Sequence, residues 1–400
     1  MANTVTKAIV YQSLLDEVIN AGLTSSPLTA NPNRIQYNGG NSVKIAKLSV
    51  GGYGAYNRDT GYPAGAATLA WEDHTIAMDR GISFNVDVMD ADETMQTLSA
   101  SNIIAEFGRT HAVPELDSYR YSKIFQSIVD DDSVRYGYYT PDATNILGTL
   151  QGHIGDIQNV IGEQEPLVCF MSGAAFKVLT QSSQLVRQLG VQNVTGTNGV
   201  TTKVYDVDGV RIIPVPSARM KTEYAFSTTN GFTAKNFAQE CNWIIMSTNA
   251  AVGFVKHQKM KIVSADENQT ADAEKIMARE YHDLWVYENK HNAIYVSLKT
   301  AAIATFGTGI LASSGATNAS YTLGAIYTNR ETGHKFYFLD GGSATELAAV
   351  ACYDDLDTTG WVEIEAATKV DDVTVSKYYN YLVELDENGR IVRRSVIQTS

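Results

Sequence analysis

Cysteine is scarce in these 400 residues: Cys169, Cys241 and Cys352 stand alone, each far from the next. That excludes a disulfide scaffold and a paired-cysteine zinc site, and leaves three buried free thiols in a reducing compartment as the expectation. Proline is also sparse, and all eight prolines lie at or before Pro216. No apolar run reaches the ~18 residues of a membrane-spanning helix. The N-terminal stretch has no basic start followed by an apolar block, so export by a standard signal is not expected. Basic charge is short as well, with 31 lysines and arginines against 44 acids and a net charge of −13. Gripping phosphate backbones is therefore disfavoured as the main task.

The tools of catalysis are missing too. There is no glycine-rich loop followed by Lys-Ser/Thr, no Gly-x-Ser-x-Gly elbow and no His-Glu-x-x-His. The seven histidines are scattered, and none has a second histidine three to five residues away. His282-Asp283 reads as a structural pair in an aromatic strand. Asp87, Asp90, Asp92 and Glu93 lack the one-apart ligand run and glycine of a calcium loop. The glycine pairs at 39–40, 51–52 and 341–342 are turn chemistry. No catalytic residue, cofactor or metal is expected.

What is present suits a protein with a large core in two or three units, since 44% of the residues are hydrophobic and 10% aromatic. Residues 5–21 predict a helix with Ala8, Ile9, Leu15, Val18 and Ile19 on one face, followed by a breaker-rich arm through Pro27 and Pro32. Residues 43–50 predict a strand, then a glycine-rich tip, then a return through Leu69 and Trp71. From Ile76 the alternation is clean, with Ile76, Met78, Ile82, Phe84, Val86 and Val88 on one face and Arg80 as the only interruption. A long ribbon is at best marginally stable alone, so it needs something to lie on; another chain is the expected partner, and its own domain the alternative. Asp92 predicts an N-cap, and Pro114 the first turn of a separate helix that closes at Asp130-Asp131-Asp132. Those acids call for a nearby cation, with Arg58, Arg80 and Arg120 as candidates.

Further on, a helix is predicted over 142–161, a strand over 167–171 and a helix capped by Ser172. Asp208-Gly209 predicts a hairpin turn, and strands follow at 243–246, 252–255, 260–263, 281–287 and 293–298. Residues 301–400 hold seven basic and thirteen acidic side chains and read as a β-rich accessory domain joined by a weak link near Thr300.

Several segments resemble, in order and spacing, the major capsid proteins of tailed phages of Gram-positive hosts. They are Tyr37-Asn38-Gly39-Gly40, Val43-Lys44-Ile45, Tyr56-Asn57-Arg58-Asp59-Thr60-Gly61-Tyr62, Asp79-Arg80-Gly81, Met89-Asp90-Ala91-Asp92-Glu93-Thr94, Val113-Pro114-Glu115-Leu116-Asp117-Ser118-Tyr119-Arg120, Val255-Lys256-His257 and Tyr281-His282-Asp283-Leu284. The resemblance spans most of residues 1–298 and none of 300–400. It implies an α+β Hong Kong 97-type capsid fold plus the C-terminal β-rich accessory domain. The implied parts are an N-terminal arm at 1–40, an extended loop at 41–89, and a peripheral domain with a long helix at 90–140. An axial domain follows at 141–245, then peripheral strands at 246–299 and the accessory domain at 300–400.

Such a protein binds copies of itself as pentamers and hexamers of an icosahedral shell, assembled in the host cytoplasm around double-stranded DNA. A separate scaffolding protein and a portal would be its partners, with no membrane involved. Ile9, Leu15, Tyr53, Tyr56, Tyr62, Trp71 and Phe84 would supply apolar overlap between subunits, and Arg58, Asp59, Asp79 and Arg80 cross-subunit ion pairs. Between Val50 and Trp71 there is no lysine, so the lysine–asparagine crosslinks of some members are not expected. An encapsulin-like nanocompartment shell is the alternative with the same fold. A bacterial surface protein or adhesin is the alternative of another class, against which the missing signal weighs.

Overall fold

A computed structural model describes residues 22–29, 35–37, 42–52, 54–56, 58–59, 65, 67–87, 89, 100–129, 135–182, 190–195, 201–227, 231–300, 311–314, 318–322, 331–340, 353, 355–364, 370–374 and 379–398. The helix predicted over 5–21, the Asp92 cap and the Asp130-Asp131-Asp132 terminus lie outside the described residues.

β1 (Ile35–Tyr37), β2 (Ser42–Val50) and β3 (Ala67–Thr75) form a three-stranded antiparallel sheet. β2 and β3 make the ribbon, in register from Ser42↔Thr75 to Val50↔Ala67. β4 (Met78–Asp87) does not continue it. It crosses to a second sheet of order β13 (Ala251–Val263), β14 (Ala273–Val286), β4, and pairs with β14 from Met78↔His282 to Asp87↔Ala273. Within the chain the period-two face that starts at Ile76 is buried at Ile76, Met78 and Val86, while Ile82 stays 37% exposed; β4 belongs to the body, which corrects the reading of 41–89 as one ribbon.

α1 (Ala100–Phe107) runs through a π-helical turn, Gly108–Ala112, directly into α2 (Val113–Val129). Pro114 therefore does not open a separate helix. The Val113 N–H reaches back five residues to the Gly108 carbonyl, and this wider turn accommodates a proline that has no N–H to give. Twelve of the 17 residues of α2 are buried, because it lies between two sheets. Val113 and Leu116 pack with Val86, Ile104, Met260, Ile262 and Ile276. Tyr121, Ile124, Phe125 and Ile128 pack on the other side against Val168, Phe170, Ile244 and Met246.

Those last residues belong to a seven-stranded sheet of order β5-β15-β12-β6-β9-β8-β7. In chain order its strands and flanking helices are β5 (Tyr136–Tyr138), α3 (Ile146–Ile161), β6 (Leu167–Ser172), α4 (Gly173–Gln181), β7 (Gly190–Thr195), β8 (Thr201–Val207), β9 (Val210–Val215), β12 (Cys241–Ser247) and β15 (Ile294–Leu298). β6 and β12 are buried at every position: α2 covers one face, and α3 and α4 cover the other through Leu150, Ile154, Ile157 and Leu179. Strands buried on both faces read as unbroken apolar runs, as Leu167-Val168-Cys169-Phe170-Met171 does. The Ser172 hydroxyl accepts the Ala175 N–H and caps α4, and Asp208-Gly209 turns the β8–β9 hairpin with φ of 52° and 77°, both as predicted. β5 and β15, however, join the strands of 141–245 in one sheet, so this sheet crosses the expected boundaries at 140 and 246.

The short hairpin β10 (Tyr224–Phe226) and β11 (Phe232–Ala234) follows β9. β13 (Ala251–Val263) and β14 (Ala273–Val286) form a long hairpin with a bulge between Val255 and His257. Near the C-terminus, β16 (Leu311–Ser314), β17 (Asn318–Thr322) and β20 (Val370–Thr374) make one sheet. β18 (Lys335–Asp340), β19 (Val362–Ile364), β21 (Tyr379–Leu385) and β22 (Ile391–Gln398) make another.

This β-rich region is not joined by a weak link. Tyr353 and Val392 are buried in the same core cluster as Phe125 and Phe237. The Tyr353 hydroxyl meets the Thr222 hydroxyl at 2.8 Å, and the Tyr353 ring lies edge-on to Phe125, 5.1 Å between centroids. The free Cys169 and Cys241 are buried.

Candidate assembly interface

The ribbon leaves the body half-anchored. At its base Val43 and Ile45 are buried against Val252 and Phe254. The Tyr281 hydroxyl donates to the Ile76 carbonyl, 3.4 Å away. Farther out the anchoring stops: Val50 is 68% exposed, Leu69 59%, Trp71 46% and Tyr56, near the tip, 59%. Nine-residue arms extend about 30 Å at ~3.3 Å per residue, and every described side chain from Ala67 to Trp71 is exposed. Fully covering a large apolar side chain stabilises by about 1.5–3 kcal/mol. The bare outer half therefore carries the capacity to bind something broad and apolar.

A strap enters the body at Gly22–Thr29 and is fastened to α2. The Asp117 carboxylate, fully buried, accepts from the Thr24 hydroxyl at 2.7 Å, the Thr24 N–H at 3.2 Å and the Ser25 N–H at 3.0 Å. Arg219 donates to the same carboxylate at 3.1 Å. One turn on, Arg120 is also buried and donates to the Ser25 carbonyl and hydroxyl at 3.3 and 3.1 Å. Burial pulls its guanidinium below the usual arginine range, against the opposing pull of Asp117 and Glu280. Gly253 is the glycine this packing needs, since a Cβ there would sit 3.0 Å from the Arg120 Cζ.

Two further matched segments, around Arg80 and around Asp283, meet the same helix. Arg80, the interruption in the apolar face of β4, pairs with Glu115 of α2 and donates to the Ser227 carbonyl at 2.8 Å and the Gly231 carbonyl at 3.3 Å. Asp283 accepts from the Tyr119 hydroxyl at 2.6 Å and the Ala77 N–H at 2.8 Å. His282 is buried beside the Tyr119 ring, 5.4 Å between centroids, and its Nδ1 has no hydrogen-bond partner. Burial first, then the charges of Arg120 and Arg80, push its pKa down to about 3.

His282 is thus neutral in the folded chain and ionises near 6.5 when unfolded. Its contribution is fully present above pH 6.5 and is lost as pH falls from there toward about 3. Within that window the stability assigned to it should drop by about 1.4 kcal/mol per pH unit. Urea midpoints of wild type and His282→Gln, compared from neutral to acid pH, should show a shallower acid loss in the variant; equal slopes would remove His282 from the account.

The candidate contact residues divide. Ile9, Leu15, Tyr53 and Tyr62 lie outside the described residues. Tyr56, Arg58, Asp59 and Trp71 are exposed on the ribbon. Asp79 is held by Arg279, whose Nε lies 2.8 Å away. Arg80 is engaged as above, and Phe84 is half-buried, edge-on to Phe107 at 5.6 Å. Asp79, Arg80 and Phe84 therefore have partners within the chain. Sequence reasoning missed Asp117 and Arg219 as fasteners; Asp117 stood in a matched segment, but nothing nearby in sequence announced strap residues some 90 positions away. Among the described residues no group of three or more potential ligands could hold a metal ion, and no helix is long and apolar enough to cross a membrane.

No family model matches the chain, and no curated protein does. Solved structures do. The capsid of the cyanophage P-SCSP1u is 12% identical with a TM-score of 0.46, over 66% of this chain and 84% of that one. The mature capsid of bacteriophage PhiM1 is 13% identical with a TM-score of 0.45, over 65% and 82%. A virus-like particle from Pyrococcus furiosus is 11% identical with a TM-score of 0.41, over 73% and 99%.

Proposed function

We propose that the chain is a shell-forming structural protein: the major capsid protein of a tailed phage, with a Hong Kong 97-type fold. The observation that carries this reading is the ribbon, anchored by Val43 and Ile45 and exposed at Val50, Tyr56, Leu69 and Trp71. A two-stranded ribbon in water is marginal, and this one carries apolar side chains that its own body does not cover. A second copy in a closed array covers them on every subunit at once. Contacts that are individually modest become tight when repeated around a shell. Exposed ion pairs at Arg58 and Asp59 would add about 0–1 kcal/mol each, so apolar overlap dominates.

In this reading subunits gather as pentamers and hexamers around double-stranded DNA, with a separate scaffolding protein and a portal as partners. The particle is a virion assembled in the host cytoplasm. The protein acts by binding copies of itself and carries out no reaction.

Deleting residues 51–66 should leave a folded chain of slightly under 43.6 kDa that sediments as a monomer, while the intact chain forms particles. Negative-stain microscopy and sedimentation velocity check this. Normal particles from the deletion, or a lone compact monomer from the intact chain under every condition, would overturn the reading. A copurifying enzyme cargo in place of DNA-packaging partners would favour a nanocompartment.

A further inference from the structure

The β13-β14-β4 sheet has one face on the helices and one turned away from them. Met260, Ile262 and Ile276 are buried on the helix side. Side chains alternate along a strand, so Lys259, Lys261, Lys275 and Arg279 all project from the other face. The register gathers them: Lys259 stands opposite Arg279, Lys261 opposite Met277 and Val263 opposite Lys275. On β4 the neighbouring positions are Gly81, Ser83 and Asn85, all uncharged, with Asp79, which pairs with Arg279, at one end and the exposed Asp87, opposite Ala273, at the other. Lys256 joins at the bulge, its ammonium 6.0 Å from the Tyr281 ring centroid. Lys259 and Lys261 are exposed and Lys275 is half-exposed. None of the three has an ion pair among the described residues. This is a concentration of cations on one flat surface of a chain whose net charge is −13.

We infer that this face binds the sugar-phosphate backbone of double-stranded DNA without reading base sequence. Cations two apart on a strand stand ~6.7 Å apart and those on paired strands ~5 Å apart, a spacing on the scale of successive phosphates along a duplex. Lysine is a compact point charge that binds phosphate without demanding a fixed geometry. A protein partner fits the surface poorly, because the centres of protein–protein interfaces are depleted in lysine, whereas here lysines surround Met277 at the centre. The surface offers neither a helix nor a projecting ribbon to enter a groove, so no base contact is implied. With three or four phosphates engaged, affinity per copy is weak, on the order of 10⁻⁴–10⁻⁶ M at physiological salt. Such binding is compatible with a duplex that must still slide past the surface. The inference deepens the shell reading and rests on it only for the source of the DNA.

The test uses the unassembled full-length chain and a fluorescent random-sequence duplex of about 30 base pairs, followed by anisotropy from about 50 to 200 mM salt. Wild type should bind with a log–log salt slope near −3. The triple variant Lys259→Gln/Lys261→Gln/Lys275→Gln should bind about tenfold or more weakly and lose most of that slope. A control triple, Lys123→Gln/Lys177→Gln/Lys290→Gln, should match wild type. Lys259, Lys261 and Lys275 lie on the sheet surface, the control lysines lie on helices away from it, and matched thermal melts establish that the variants fold. Equal binding by both triples, no binding by wild type at the lowest salt, or preference for polyglutamate over the duplex would overturn the inference. Particle formation is scored separately by microscopy. Shells from a chain that does not bind DNA retain the proposed function and discard this inference. DNA binding lost in the triple variant without any shell formation does the reverse.

Discussion

Asp117→Ala is expected to destabilise the main body by about 3–5 kcal/mol, read as a lower urea midpoint of its unfolding transition. Removing one partner of a buried ionic cluster leaves the others buried and uncompensated, a loss of that size. Here the groups left behind are the half-buried Arg219, the N–H of Thr24 and the buried N–H of Ser25, with Arg120 one turn away on the same helix; the Thr24 hydroxyl keeps the Tyr121 hydroxyl at 2.9 Å. Each orphaned buried donor alone costs about 1–3 kcal/mol. Asp117→Asn keeps one oxygen to accept from the strap and should fall between wild type and alanine. A variant that unfolds like wild type would show that the strap is held by Leu28 and the bridge from Thr29 to Gly253 instead.

The second large effect concerns the C-terminal region. A chain ending at Lys299 is expected to aggregate rather than assemble, contrary to what a weak link near Thr300 implies. Truncation uncovers Phe125 and Phe237 and leaves the Thr222 hydroxyl without the tyrosine it meets. It also removes Glu331, one of the two carboxylates that Lys235 bridges. Within the intact chain, Tyr353→Ala isolates the main term. Loss of a fully buried aromatic side chain costs about 3–5 kcal/mol. Tyr353 holds its place at φ 66°, a left-handed backbone that a bulky residue adopts only when its surroundings compensate. Differential scanning calorimetry of Tyr353→Ala, and microscopy of the truncated chain, measure these two outcomes. Well-formed particles from the truncation would make the region an appendage after all.

How much of this was legible beforehand depended on whether the deciding contact was local. Asp208-Gly209 and the Ser172 cap were readable because turn and cap chemistry reside within four residues. The doubly buried β6 and β12 were readable because burial on both faces leaves an unbroken apolar run. The partner of β4 was not, since period two says that one face is covered and not by what. β14 was seen only from Tyr281 onward: Glu274, Lys275, Arg279 and Glu280 put charge on both of its faces and hid the alternation of Ile276 and Ala278. Pro114 misled for the opposite reason, a strong local signal overridden by the π-turn before it. On the ribbon, the exposure of Tyr56 and Trp71 was legible in the sequence. Arg80 was picked out by its place in the pattern, but its partner Glu115 lies on another element and no spacing rule connects them.

The pairing of β4 with β14 joins positions 282 − 78 = 204 residues apart at Met78↔His282. A ribosome adding roughly 5–20 residues per second needs about 10–40 s to cover that interval. Through all of it β4 is already made while the strand that completes its sheet does not exist. The seven-stranded sheet waits in the same way for Ile294–Leu298. Nascent chains crowded on one messenger consequently have no finished platform to offer each other. Under the proposed shell function, timing of this kind guards the polypeptide against tangling with its siblings before release.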